Sequence, residues 1–332
     1  MASIRDVAKK AEVGVGTVSR ALNGTGYVSD ATRKKIERAA EEIGYTPNEL
    51  ARNLFRNKTG IIGVIIPDLD HPFFSCLAKY IEVELYKQGY KTMICNTIGI
   101  SDREQEYLDM LNRNIVDGII TAAHSLEGEA YLSQSKPIVS IDRDFGPKIP
   151  LIGSDHVKGG EIAAQLLIDV GCKKVMQISG VSPFVAATNR HTAFTKKMQE
   201  NHVEVVEMVM DWNDFSWNAH YELVGRFLRE NPGIDGVFGG DLGAVAAMHI
   251  SLAEGKRIPQ DIKFVGFDGM DITRMVHPTL TAICQNVQLL SEIAVNTLLD
   301  LVEDRKRVPY RQVLDVELQR GGTVFLPNPC EK

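Results

Sequence analysis

Cysteine is scarce in this sequence, and the cysteines present do not form close pairs. They are odd in number and widely separated, at Cys76, Cys95, Cys172, Cys284 and Cys330. This spacing excludes a disulfide framework and the paired ligands of a structural zinc site, and it fits a reducing compartment. The sequence also contains no 18-residue apolar run and no signal-peptide pattern. We therefore expect a cytoplasmic protein that holds no metal and is not inserted in a membrane.

The signatures of several common enzyme classes are absent as well. There is no phosphate-binding GxxxxGK[ST] loop, no G-x-S-x-G nucleophile turn and no zinc-binding H-E-x-x-H helix. The glycine-rich run at 239–243 lacks the G-x-G-x-x-G spacing of a dinucleotide site. The sequence therefore favours a protein that is not an enzyme and needs no cofactor.

Two helical patterns separated by a short break occupy the first 23 residues. Apolar residues recur at helical spacing first at Ile4, Val7, Ala8 and Ala11 and then, after a break at 12–14, at Val15, Val18 and Leu22. With that stripe turned inward, the second helix presents Gly16, Thr17, Arg20 and Asn23 outward. Hydroxyl and guanidinium groups can form hydrogen bonds to base edges in a major groove. The pattern predicts a helix-turn-helix, although any amphipathic three-helix module can show the same spacing.

The charge distribution favours DNA binding over a purely structural role for this region. A third helix is predicted between Ser29, a suitable N-cap, and Gly44, a suitable C-cap. Residues 1–60 contain eleven Lys and Arg against seven Asp and Glu, a net charge of +4, whereas the remaining 272 residues carry −10. A basic head on an acidic body is typical of a polyanion-binding domain joined to a separately functioning one.

The segment 47–59 has the pattern of a short, separate helix. Thr46-Pro47-Asn48-Glu49 supplies a hydroxyl N-cap, a proline at the first helical position and a Glu that completes a capping box. The helix can extend only to about Asn57, and helices this short are marginal in water. We interpret it as a hinge helix that folds against a second copy on DNA, with Leu54 as a minor-groove wedge. An ordinary interdomain linker is the alternative.

Together these features resemble the lactose-repressor (LacI) family of bacterial transcription regulators. The matching stretches are Ile4-Arg5-Asp6-Val7-Ala8, Thr17-Val18-Ser19-Arg20, Leu22-Asn23, Gly44-Tyr45, Pro47-Asn48, Ala51-Arg52 and Leu54. The resemblance implies that Thr17 and Arg20 lie in the major groove and that Tyr27 approaches phosphate. The chain departs from the family at Gly14, where a serine is usual. We assign DNA contacts to Val15, Gly16, Thr17, Ser19, Arg20, Asn23, Tyr27, Arg52 and Leu54.

From Gly60 onward, short apolar strands alternate with amphipathic helices. Strands are predicted at 61–66, 91–96, 118–122, 137–142, 174–179, 236–239, 264–268 and 280–284. This α/β alternation predicts parallel sheets with helices on both faces, and the stretch is longer than one ordinary domain. We therefore divide the chain into a head (1–46), a hinge (47–59) and a core (60–332). The resemblance implies a periplasmic-binding-protein-like core, whose first lobe comprises about 60–160 and 290–320 and whose second comprises about 161–289 and 321–332.

The expected ligand cleft lies where the carboxyl ends of parallel strands meet. Asp142 and Asp268 each end a predicted strand, and a carboxylate there can accept two hydroxyl hydrogen bonds from a sugar diol. Phe73 and Phe74 follow the first strand and can stack on a sugar or base, although we expect one of them to join the core of the next helix.

The resemblance adds further candidates to this cleft. It implies that Arg190 is the pocket arginine and that Gln285 lies near the ligand. It provides a stacking aromatic at either Phe215 or Trp217, without choosing between them, and it places His71 where relatives often have Asn. Asp241 also lies at a family position near the hinge and pocket, where a structural role is as reasonable as a functional one.

These observations predict a homodimeric, ligand-controlled transcriptional repressor. Its expected partners are a pseudo-palindromic double-stranded operator DNA and a small-molecule effector, either a sugar or a sugar phosphate. The alternatives are control by a phosphorylated carrier protein or by a purine-type corepressor.

Overall fold

The computed structural model describes residues 2–23, 26–45, 58–123, 125–180, 186–211, 216–305 and 307–325. The chain divides into two compact units, Met1–Gly60 and Ile61–Lys332. The first unit contains α1 (Ile4–Lys10), α2 (Val15–Asn23) and α3 (Asp30–Glu42). None of the helices in the described part of the chain combines the length and apolarity that a membrane span requires.

The core unit contains two six-stranded sheets flanked by nine described helices. The strands are β1 (Ile61–Ile66), β2 (Lys91–Asn96), β3 (Gly118–Thr121), β4 (Ile138–Ile141), β5 (Leu151–Ser154), β6 (Lys174–Gly180), β7 (Glu204–Met210), β8 (Gly236–Gly240), β9 (Lys263–Asp268), β10 (Thr281–Gln285), β11 (Arg311–Leu314) and β12 (Val316–Gln319). The helices are α4 (Pro72–Lys87), α5 (Ser101–Asp109), α6 (Gly128–Leu132), α7 (His156–Asp169), α8 (Ala186–Glu200), α9 (Trp217–Glu230), α10 (Asp241–Ala253), α11 (Ile272–Met275) and α12 (Val287–Val302).

The two sheets have the same strand order. The first runs β11-β5-β4-β3-β1-β2, and the second runs β12-β10-β9-β8-β6-β7. All described pairings are parallel except β10 with β12, which is antiparallel. The core is therefore two similar α/β lobes, and β4 occupies in the first lobe the place that β9 occupies in the second.

The chain crosses between the lobes at Asp155, Asn286 and Asp315, a few residues before each predicted crossing. β5 ends at Ser154 in the first sheet, while the apolar residues of α7 pack in the second lobe. α12 returns to the first lobe, and β12 leaves it again. Residues 316–319, predicted in the first lobe, therefore lie in the second, because they hydrogen-bond to β10.

Apolar packing explains why α12 belongs to the first lobe. Leu290, Ala294 and Leu298 are buried in one cluster with Leu77 and Ile81 of α4. Close approach of this helix to the sheet requires a small residue on β3. A Cβ added at Gly118 would lie 3.1 Å from the side chains of both Leu298 and Val302.

Candidate functional site

The head unit is a three-helix module with well-formed helix starts. The Ser3 hydroxyl accepts a hydrogen bond from the Asp6 amide (3.4 Å), and the Asp6 carboxylate accepts one from the Ser3 amide (2.9 Å). This is a capping box at the start of α1. Glu12, with φ of 52°, makes the turn to α2. The small core includes Val7, Val18 and Ile36, all completely buried.

The outer side of α2 is polar and accessible, as a recognition helix requires. Gly16 and Arg20 are exposed, and Thr17 and Ser19 are half-buried. Val15 is 42 % exposed, so it does not belong to the inward stripe with Val18 as its spacing predicted. Because Val15 starts the helix, it lies beyond the core that α2 shares with its neighbours. Its exposure leaves Val15 able to contact DNA.

One exposed aromatic residue supports a DNA-facing surface on this unit. Tyr27 is 93 % exposed, an unusual position for an aromatic side chain without a partner molecule. A Cβ added at Gly26 would lie 3.3 Å from Arg20 Cδ, so the stem of Arg20 runs close to that glycine. Arg33 donates to the Ala21 carbonyl near the end of α2 (2.7 Å), which holds α3 against α2.

Some predicted site residues lie outside the described part of the chain. Arg52, Leu54 and the rest of the hinge helix are among them, as are Phe215 and the side chain of Asn23. The assignments of these residues remain predictions.

In the core unit, Asp268 forms the centre of a buried polar cluster. Its Oδ1 accepts a hydrogen bond from Gln285 Nε2 (2.8 Å) and lies 3.5 Å from a terminal guanidinium nitrogen of Arg190. The side chains of Asp268 and Arg190 are 7 % and 12 % exposed. Burial raises the pKa of Asp268, while Arg190 and Gln285 oppose that rise. The structure thus brings together three predicted ligand residues from α8, β9 and β10.

Asp142 occupies the equivalent position at the end of β4 in the first lobe. Its Oδ1 lies 3.0 Å from Nε2 of His156 and accepts a hydrogen bond from the Ser154 amide (3.1 Å). Asp142 and Asp268 have φ of 56° and 113°, so each carboxylate is carried on backbone that non-glycine residues rarely adopt. Such conformations cluster at ligand sites, where surrounding contacts hold them.

The aromatic ring of Phe267 connects the two carboxylate sites. The Arg190 guanidinium lies 4.2 Å from the ring centroid, a distance typical of a cation–π contact. The imidazole of His156 is stacked on the same ring, with centroids 5.4 Å apart and planes inclined by 12°. Since His156 also contacts Asp142, these side chains form one connected cluster from the first lobe to the second.

The two phenylalanines at the start of α4 are buried to different degrees. Phe73 is 6 % exposed and packs in the core cluster of the first lobe, whereas Phe74 is half-buried beside His71, with ring centroids 5.2 Å apart. His71 caps α4, because its Nδ1 accepts a hydrogen bond from the Phe73 amide (3.3 Å). Burial, with smaller contributions from His220 and Arg190 of the second lobe, lowers the pKa of His71 to about 3. His71 therefore faces the second lobe as a neutral side chain.

Trp217 starts α9 and contacts other residues than the Asp268 cluster. Its ring lies 5.8 Å from that of Tyr221 and 6.3 Å from that of His249. A ligand-stacking role for Trp217 stays a prediction.

Sequence reasoning missed three histidines at this cleft. His156, His191 and His220 are all buried. Burial lowers the pKa of His191 well below its usual value, and the nearby Arg190 and His156 lower it further. His156 follows the end of β5 by two residues, but β5 was not predicted, so the strand-end signal that identified Asp142 was missing here. The other two lie inside helices, where the sequence provides no such signal.

Comparisons with known proteins find relatives of this chain in sequence and in fold. Residues 3–48 match the family described as bacterial regulatory proteins, lacI family, and residues 164–324 match the periplasmic binding protein-like domain. The chain is 34 % identical to the ribose operon repressor of Halalkalibacterium halodurans over 319 residues, covering 96 % of each chain. It is 35 % identical to the sucrose operon repressor of Streptococcus mutans over 326 residues, covering 98 % of this chain and 100 % of the relative. The structure matches the lac repressor dimer bound to operator and the anti-inducer ONPF with a TM-score of 0.84, at 25 % identity, over 97 % of this chain and 98 % of the other.

Proposed function

This chain belongs to the LacI family of bacterial regulatory proteins, and from that premise we propose that a carbohydrate bound in its cleft controls its binding to operator DNA. The protein is a DNA-binding transcriptional repressor controlled by a small-molecule effector, and not an enzyme. Our proposal goes further in three respects: the class of effector, the residues that bind it and the homodimeric assembly.

The observation that carries the carbohydrate proposal is the cluster of Asp268, Arg190 and Gln285. A carboxylate, a guanidinium and an amide supply acceptors and donors within one small volume, as adjacent hydroxyl groups require. Phe74 offers a half-buried ring for the apolar face of a sugar. The names of the ribose and sucrose operon repressors support the same class of ligand.

A ligand that reaches Asp142 as well as Asp268 would bridge the two lobes. Its binding energy would then depend on the angle between them, so occupancy would favour one lobe arrangement. We propose that this arrangement sets the spacing of two hinge segments in a homodimer, and thereby whether both heads fit a pseudo-palindromic operator. To change occupancy from 1:99 to 99:1, the effector must prefer one arrangement by about 5.5 kcal/mol.

On the DNA, Thr17 and Arg20 are proposed to read base edges, while Ser19 and Tyr27 contact the backbone. The accessible outer side of α2 and the exposed ring of Tyr27 support this division. The basic balance of residues 1–60 supplies the electrostatic part of the affinity.

The test is a thermal-shift screen of the purified protein, followed by operator-binding assays with each hit. The panel contains mono- and disaccharides, sugar phosphates, purines and nucleotides, and operator binding is measured by fluorescence anisotropy. A sugar that raises Tm and changes operator affinity supports the proposal and gives the sign of regulation. A purine as the active hit, or a response only to a phosphorylated carrier protein, overturns the carbohydrate assignment. Absence of binding to any promoter fragment at low salt would overturn the whole proposal.

A further inference from the structure

Asp241 is a buried carboxyl group next to the effector site, and no ligand role has been assigned to it. It is the first residue of α10 and is 2 % exposed. Its Oδ2 accepts a hydrogen bond from the Met270 amide (2.7 Å), while its Oδ1 has no hydrogen-bond partner among the described residues. Burying a carboxyl group with a hydrogen bond to only one of its oxygens is unfavourable in free energy, which suggests that Asp241 has a specific role.

The backbone that Asp241 holds is the turn directly after β9. Asp268 and Gly269 have φ of 113° and 73°; this is ordinary for the glycine but rare for the aspartate. The turn is also closely packed: a Cβ at Gly269 would lie 2.6 Å from the Cβ of Cys284. On the other side, a Cβ at Gly266 would lie 2.6 Å from Oδ1 of Asp241. Strained backbone of this kind persists only where its surroundings hold it, and the Asp241–Met270 hydrogen bond is one such restraint.

The charges of the cluster are compatible with this use of Asp241. Arg190 and Gln285 both contact Asp268, whereas Asp241 accepts its hydrogen bond from the backbone. Burial and the nearby charge of Asp268 raise the pKa of Asp241 well above its ordinary value. The hydrogen bond from the Met270 amide to Asp241 needs an acceptor oxygen, which a neutral side chain also provides.

We propose that Asp241 is a positioning residue of the effector site: it holds the 268–270 turn through the Met270 amide and so sets the direction of the Asp268 carboxylate. The functional part of this inference rests on the proposed function of the cleft. The positioning role requires a short side chain with an acceptor oxygen at position 241, and it does not require a negative charge there. An amide can therefore replace the carboxyl group, whereas a methyl group cannot.

The first test needs no ligand and compares Asp241→Asn with Asp241→Ala in the full chain. We expect the Met270 amide to exchange with solvent at the wild-type rate in Asp241→Asn. In Asp241→Ala it should exchange about tenfold faster or more, because one buried hydrogen bond is lost. Asp271→Ala removes an exposed carboxylate from the same loop and should leave the exchange unchanged. Wild-type exchange in Asp241→Ala would overturn the proposal.

The second test measures the effector response with D-ribose, sucrose and cellobiose as probes. With any of these that acts on the wild type, Asp241→Ala should need about tenfold more sugar for half-maximal change in operator binding, and Asp241→Asn should restore the response. Operator affinity without sugar and Tm separate this effect from misfolding. An equal loss in both variants would show that the charge matters and overturn the inference. If no sugar acts on the wild type, the carbohydrate assignment is not supported, and the exchange experiment still decides the role of Asp241 in the turn.

Discussion

Replacing Asp268 with asparagine should separate effector sensing from DNA binding. Asp268→Asn keeps the size and planar shape of the side chain and can still accept from Gln285, whose Nε2 lies 2.8 Å away. It removes the negative charge that faces Arg190 and the second strong acceptor for a ligand hydroxyl. The head lies in a separate compact unit, Met1–Gly60, so its own fold does not depend on this carboxylate.

The magnitude follows from the hydrogen bonds that are weakened. A hydrogen bond to a charged group is worth about 1.5–3 kcal/mol, so loss of one such bond to the effector should weaken binding by about 10- to 150-fold. Arg190, with its side chain 12 % exposed, would also lose its carboxylate partner, and we expect a lower Tm for that reason. Operator affinity in the absence of effector should stay at the wild-type value.

The assay is a titration of the sugar identified in the screen against a preformed operator complex, followed by fluorescence anisotropy. Asp169→Asn is the matched control, because Asp169 is an exposed carboxylate at the end of α7 in the same lobe. It should respond as the wild type does. Sugar affinity of Asp268→Asn within about threefold of wild type, in a folded protein, would refute the reasoning, since that difference is below the value of one charged hydrogen bond.

Three further predictions concern the head, the hinge and the pH response. Arg20→Ala should weaken binding to the preferred operator by about 1–3 kcal/mol and relax discrimination at one base pair, which competition with single-base operator variants measures. Leu54→Ala, a prediction from sequence alone, should weaken operator binding while isothermal titration shows unchanged effector affinity; equal loss of both activities would indicate misfolding. The pKa of His71 is lowered to about 3 in the folded protein, so between about pH 6.5 and 3 the unfolded state binds a proton at His71 that the folded state does not. The free energy of unfolding should therefore fall as the pH drops through that range. His71→Asn keeps a side chain that can cap α4 and should reduce this loss in urea titrations across that range; an unchanged slope would contradict the assignment.

Local patterns predicted the head and most of the sheet, because their evidence lies within a few residues. The break at 12–14 and the periodicity of Val18 and its neighbours located α2. Four strands were not predicted: β5, β7, β11 and β12. β7, β11 and β12 lie at sheet edges, where exposed positions dilute the apolar signal, and β5 contains only two apolar side chains, Leu151 and Ile152.

The cleft was predictable where a residue ends a strand and not where contacts join distant parts of the chain. Asp142 and Asp268 were identified by their position at strand ends. The stacking of His156 on Phe267 joins two residues that are far apart in the sequence, and local spacing contains no information about such a contact. The different burial of Phe73 and Phe74 likewise depends on which face of α4 meets the core.

The repeated strand order of the two lobes has a consequence for how a ligand would contact them. Because β4 and β9 hold equivalent places in the two sheets, Asp142 and Asp268 are corresponding residues of an internal repeat. Each contacts a residue that follows or ends the adjacent strand: Asp142 contacts His156 after β5, and Asp268 contacts Gln285 at the end of β10. A molecule held by both carboxylates would contact the two lobes through corresponding residues of the repeat. A molecule held by only one of them would contact one lobe and would favour neither arrangement of the pair.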